Sequence, residues 1–172
     1  NNEFILSAKY NNDNNRDDIW LARVNGNTGE IVWENTIGNQ DNDGVNSLLI
    51  NGDFVILSGY LETNKAFWAK YSLNGIPIST KVFSTSSVFN DVIQDNSGNF
   101  YFSGRVNPPG SDIDVIEHGN VDVLVIKTDA ELNEIWQKSF GGSSNDVTDS
   151  SGFRIPSIII NENNNLIITT SS

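Results

Sequence analysis

Cysteine is absent from the 172 residues, so disulfides, thiolate nucleophiles and cysteine-based zinc sites are all excluded. Methionine is absent too, even at position 1, which leads us to expect that a leader or a longer N-terminal part belongs to the full product. No apolar run approaches the roughly 20 residues that cross a bilayer as a helix. Positive charge is scarce. Ten Lys and Arg against 22 Asp and Glu leave a formal net charge of −12, a surface that repels phosphate backbones and anionic membranes. Asn is abundant, yet no Asn-x-Ser/Thr acceptor occurs, which speaks against a eukaryotic glycoprotein. What is present, 37% hydrophobic and 19% charged residues, is the composition of a folded chain with a core.

Repetition organises the sequence. NNEFILSAKY, NGDFVILSGY, SGNFYFSGRV and NNNLIITTSS each place an Asn/Gly turn before an apolar, β-prone run, anchored on Phe4, Phe54, Phe100 and Leu166. DIWLARVN, AFWAKYSL and DVLVIKTD form a second line of equivalence, with Arg23, Lys70 and Lys127 in register. IVWENTIG, PISTKVFS and IWQKSFGG form a third, with Trp33 matching Trp136 and Ile37 matching Phe83 and Phe140. The units run over residues 4–53, 54–99 and 100–165, and a further one starts at 166–172.

Each unit reads as four short strands. One such set of four is FNDVIQD, NFYFSGRV, DVLVIKTD and EIWQKSF, the first two joined by DNSGN. Asn25-Gly26, Asn51-Gly52 and Asn74-Gly75 are hairpin signals, since both residue types tolerate positive φ. No segment holds a 3.6-residue apolar period free of turn residues, so no helix is expected. An all-β, antiparallel meander with a repeat of about 50 residues points to β-propeller-like blades: about three four-stranded units, part of a larger propeller or of a ring completed by a symmetric copy.

ARVNGNTGEIVWE (Ala22–Glu34) resembles the tryptophan-docking repeat of quinoprotein-type propellers. The resemblance implies that Thr28 and Gly29 form the turn before Trp33, and that Trp33 packs against the next blade. The third unit, from Gly110 to Asp146, resembles repeats of exported, cell-surface proteins of Bacteroidota-like bacteria, with Gly141, Gly142, Ser143 and Asp146 matching their Gly-Gly-Ser-x-x-Asp turn. The second unit departs from the pattern, with Ser79 in place of Trp and Ser84 in place of Gly.

Hairpin connectivity sorts the loops onto two sides. The loops between second and third strands, and between successive units, are the longer and more acidic ones, and long loops on a rigid scaffold are where binding resides. Two of them have calcium-like spacing. Asn39, Asp41 and Asp43, followed by Gly44, copy the first half of an Asx-x-Asx-x-Asx-Gly loop, although the twelfth position is Ile50 rather than Glu. Asp112 and Asp114, with Glu117 or Asp122, offer the second set. His118, the single His, precedes Gly119 and reads as a loop-shaping residue. No Gly-x-Ser-x-Gly elbow occurs, and Gly141-Gly142 lacks the Lys-Ser/Thr end of a phosphate loop. Trp20, Trp33, Trp68 and Trp136 all fall within strands and read as packing residues, and Arg23, Lys70 and Lys127 as pairing with acids or carbonyls.

The expectation is a non-catalytic, extracytoplasmic binding or scaffold module of a secreted, lipid-anchored or outer-membrane bacterial surface protein. It would recognise a protein or a glycan through its acidic loops, with calcium as the candidate ion and no nucleic-acid partner. The alternatives are a fragment of a propeller enzyme, either a quinoprotein-like dehydrogenase or a hydrolase, and a structural spacer of a surface adhesin.

Overall fold

The computed structural model describes residues 2–11, 16–38, 41–108, 110–147 and 156–170, and among these there is no helix. Twelve strands follow one another: β1 (Glu3–Asn11), β2 (Asp17–Asn25), β3 (Ile31–Ile37), β4 (Gly44–Asn51), β5 (Phe54–Leu61), β6 (Lys65–Ser72), β7 (Pro77–Gln94), β8 (Phe100–Val106), β9 (Asp122–Thr128), β10 (Glu134–Phe140), β11 (Ser157–Ile160) and β12 (Leu166–Thr169). The ladders pair antiparallel. The hydrogen-bonded orders are β1-β2-β3, β4 through β10 in sequence, and β11-β12. The chain divides into two compact units, Asn1–Val82 and Phe83–Ser172.

In the first unit, the register Ile19↔Ile37, Leu21↔Asn35 and Arg23↔Trp33 puts Ile19, Leu21, Trp33 and Ile37 on one face of β1-β2-β3. That face packs with Val55, Leu57, Phe67, Ala69 and Tyr71 of β5 and β6 into one core. Burying each large side chain contributes about 1.5–3 kcal/mol. The partly buried Trp33 donates its indole N–H to the Leu73 carbonyl at 2.9 Å, and a Cβ on Gly75 would meet the indole ring at 2.8 Å. Arg23 also reaches the Leu73 carbonyl, at 2.9 Å, and pairs with Glu3 at 2.6 Å.

In the second unit, β8 and β9 bury Phe100, Phe102, Leu124 and Ile126 completely. Tyr101, Val123 and Val125 join Val121, Val147 and Ile158 in a core against which Trp136 packs. Asp91 Oδ2 accepts from Ser157 Oγ and from the Ile158 N–H, both at 3.3 Å, so a carboxylate of β7 also holds the start of β11.

Two details depart from the sequence expectation. The fourth strand of the second repeat and the first of the third are one continuous strand, β7, because Ser84–Asn90 contains neither Gly nor Pro and is β-compatible throughout. At the Asn-Gly pairs, only the glycines Gly52 (φ 56°) and Gly75 (φ 79°) take positive φ, and in the first loop it is Gly29 (φ 75°) rather than Gly26. The side chain of Asn25 acts instead as an acceptor, capping the N–H groups of Asn27 and Thr28 at 2.9 and 3.2 Å.

Candidate functional site

Carboxylates of this protein spend much of their hydrogen-bonding capacity on backbone N–H groups. The buried Asp95 accepts from the N–H groups of Ser97 and Asn99 and from the Asn99 side chain, all at 2.9 Å, and from the Tyr101 hydroxyl at 3.1 Å. Burial alone would raise its pKa, but these donors outweigh burial and hold the carboxyl below its ordinary value. The exposed Asp129 repeats the arrangement with Glu131 and Asn133, its carboxyl lowered chiefly by the Asn133 side chain, and Asn161 repeats it as an amide with Asn163 and Asn165. In all three turns the fourth residue is left-handed: Gly98 (φ 88°), Leu132 (φ 67°) and Asn164 (φ 62°).

The acidic loops use the same chemistry. Asp112 Oδ1 accepts the Thr85 N–H at 3.0 Å, and the carboxylate also takes the Ser84 N–H and the Thr85 hydroxyl. Burial opposes ionisation of Asp112, and the Thr85 and Ser84 donors prevail, so its carboxyl too lies below the usual range. The stretch from Gly110 to Val121 has no strand of its own, yet it is fastened along its length. Gln137 donates to the Asp112 carbonyl at 3.1 Å, the Ser139 hydroxyl donates to the Ile116 carbonyl, and the His118 N–H donates to Asp122 at 2.8 Å. Among its exposed side chains are Asp114, Ile116, Glu117 and His118, with Ile116 72% exposed. Asp114 and Ile116 line an open cleft of about 480 Å³ with Gln137, Lys138 and Ser139. His118 thus contributes its backbone N–H to the loop's anchoring.

The sequence-derived metal candidates are given separate tasks. Asp112 clamps Ser84 and Thr85, while Asp114 faces the cleft. Asp41 pairs with Arg16 at 2.8 Å. Asp43 is fully buried and accepts the Glu62 N–H at 2.7 Å, while Asn39 lies outside the described residues. Among the described residues, no group of three or more His, Asp or Glu side chains converges as a metal cluster.

Three features escaped sequence reasoning. The hairpin between β5 and β6 holds Glu62 (φ 51°) and Thr63 (φ 73°) in the left-handed region, where a β-branched residue is strained, and bonds from their N–H groups to Asp43 and Asn42 keep it there. A second cleft, about 450 Å³, lies on β1-β2-β3. It is lined by Tyr10, Trp20, Glu34 and Thr36, with the Trp20 indole N–H donating to Glu34 at 2.7 Å. Strand alternation places these side chains opposite the core face, so the half-buried Trp20 lies on the other face of the sheet from Trp33. The third feature is a pair of loops pivoting on glycine. A Cβ on Gly38 would lie 2.6 Å from Asp18 Oδ1 and from Asp43 Oδ2, and a Cβ on Gly141 would collide with Asp122 Oδ1 and Asp146 Oδ2. Shared repeat positions of Asp18 with Asp122, and of Gly38 with Gly141, are the signal that could have found it.

No family model matches the chain, and no curated protein matches it. Among solved structures it is similar to a protein of unknown function from Bacteroides caccae, with 15% identity over 98% of this chain and 82% of that one, at a TM-score of 0.29.

Proposed function

We propose that this chain is a non-catalytic binding or scaffold module acting outside the cytoplasm. Its repeats would serve as blades of a longer propeller, and its acidic loops would recognise a protein or a glycan on a bacterial cell surface. The observation that carries this reading is the fastening of residues 110–121. A long connection without secondary structure is uncommon in a compact domain unless it is used. This one is pinned by Asp112, Gln137, Ser139 and Asp122 while it displays Asp114, Ile116 and Glu117. A loop ordered in advance loses little entropy on binding, and an exposed apolar side chain flanked in sequence by Asp114 and Glu117 suits a partner that pairs an apolar group with a basic one. The blade reading is supported by the two four-strand ladders, β4 to β7 and β7 to β10, and by Trp33 bonding across to Leu73 of the following repeat.

The test is retention of the full chain on a printed array of bacterial surface glycans and on immobilised basic peptides carrying interspersed aromatics. The variant Asp114→Asn/Ile116→Ala/Glu117→Gln removes the display without touching its anchors. Expected is salt-sensitive retention of the native chain on at least one support, lost in the variant at unchanged melting temperature. Equal retention of both proteins would overturn the reading.

A further inference from the structure

We infer that the loop following β10 closes around a hard divalent cation, calcium, held by Asp122 and Asp146; this stands independently of what the exposed loops bind. Asp122 is only 2% exposed. One of its oxygens, Oδ2, takes the His118 N–H at 2.8 Å, and the other, Oδ1, is buried and has no hydrogen-bond partner. That oxygen is aimed at the space in front of Gly141, where Asp146 Oδ2 also lies, 2.6 Å from where a Cβ would be. Asp146 is in turn locked by the Gly142 N–H on Oδ2 at 2.7 Å and by its own N–H on the Val121 carbonyl at 2.9 Å. No ion pair of either carboxylate is seen among the described residues. A buried carboxylate oxygen and a half-buried one, both on hydrogen-bonded side chains turned toward one point, repel each other unless a positive charge stands between them.

The donors are hard oxygens without sulfur or imidazole, which suits calcium rather than zinc or copper. Two carboxylates leave the remaining positions of a six- to eight-coordinate ion to backbone carbonyls and water. In the same loop the carbonyls of Gly142 and Ser144 crowd Gly119, the residue after His118, so the loop packs closely on the stretch that anchors Asp122.

The arrangement recurs within the chain. Around Gly38, Asp18 and Asp43 take the places of Asp122 and Asp146, and the Asp43 N–H bonds the Asp17 carbonyl at 2.7 Å as Asp146 does that of Val121. In the repeat between them, register with Arg23, Lys70 and Lys127 puts Lys65 where the other two have Asp18 and Asp122. The strand there continues through Ser84–Asn90, which holds no carboxylate. The repeat that lacks the acidic pair thus carries a lysine at that position, and it pairs with Glu62.

Calorimetric titration of the full chain with calcium, paired with melting in calcium and in excess chelator, decides the matter. We expect calcium to bind and raise the melting temperature. Affinity should fall at least about tenfold in Asp146→Asn and in Gly141→Ala, whose methyl fills the cradle, and should be unchanged in Asp129→Asn, which lies in neither loop. Circular dichroism in chelator separates lost binding from lost folding, and Gly141→Ala, which removes no ligand, carries the comparison if Asp146→Asn does not fold. Identical melting in calcium and chelator with no heat of binding would overturn the inference. So would wild-type affinity in both Asp146→Asn and Gly141→Ala, or loss of the ion in Asp129→Asn instead.

Discussion

The stretch after a repeat's fourth strand is built in two ways in this molecule. After β3 and after β10 the chain leaves the sheet at a glycine, and the space where a Cβ would be is taken by two carboxylates. In the middle of β7 the chain does not leave at all, and the corresponding stretch, Ser84–Asn90, is continuous strand. Phe83 and Phe89 are fully buried, their rings 5.5 Å apart and edge-on, and Phe89 is tilted against Phe102 at 5.4 Å. One repeat position therefore supports either a glycine-centred loop faced by carboxylates or a continuous strand without them. The choice rests on a few residues: Gly38 or Gly141 against Ser84, and Asp18 or Asp122 against Lys65.

The largest effect is expected where the strand solution is broken. Phe89→Ala removes a ring from a fully enclosed site and should cost about 3–5 kcal/mol in urea unfolding. A loss below about 1 kcal/mol would mean that β7 can bend there as its counterparts do.

Next comes the Asp-x-x-x-Asn turn, which occurs buried at Asp95 and exposed at Asp129. Asp95→Ala leaves two N–H groups and the Tyr101 hydroxyl without their acceptor and should cost about 2–3 kcal/mol. Asp129→Ala, whose donors can turn to water, should cost measurably less by the same denaturant series. Equal losses would show that the turn, rather than its burial, sets the contribution.

The two adjacent glycines sharpen the comparison further. A methyl on Gly141 meets both carboxylates, whereas one on Gly142 has nothing closer than Asp146 Oδ1 at 3.8 Å. Gly141→Ala should destabilise by about 1–3 kcal/mol, and Gly142→Ala should be close to neutral in thermal melts.

Acid response is the smallest difference. Asp95 and Asp112 have folded-state carboxyls held below their ordinary 3.8. Their stabilisation is fully present above that value and is lost as pH falls through the depressed folded values. Melting temperature should drop below about pH 4, and the drop should be shallower in Asp112→Asn, which has no carboxylate to protonate.

The repeat anchors carried the strands and their antiparallel order, because alternation of apolar residues bounded by Asn, Gly and Asp is a local signal. DNSGN marked the turn at Asp95 for the same reason. The fusion into β7 went unseen because the expectation of a loop came from the neighbouring repeats, while Ser84–Asn90 contains no Gly or Pro to make one. The metal candidates were chosen by close sequence spacing, yet Asp41 and Asp43 end on different partners, Arg16 and the Glu62 N–H. Asp122 and Asp146 meet only because a whole hairpin, β9 with β10, returns the chain to Val121, and no short spacing reports that.

The most direct test of the claim that glycine-centred loops are built around a charge is anomalous diffraction from crystals of the full chain soaked in terbium, a hard-ion substitute for calcium. The account expects a peak bridging Asp122 and Asp146 in front of Gly141 and none along Ser84–Asn90. Carboxylates of Asp122 and Asp146 bonded directly to each other or to a protein cation, with no peak between them, would contradict it.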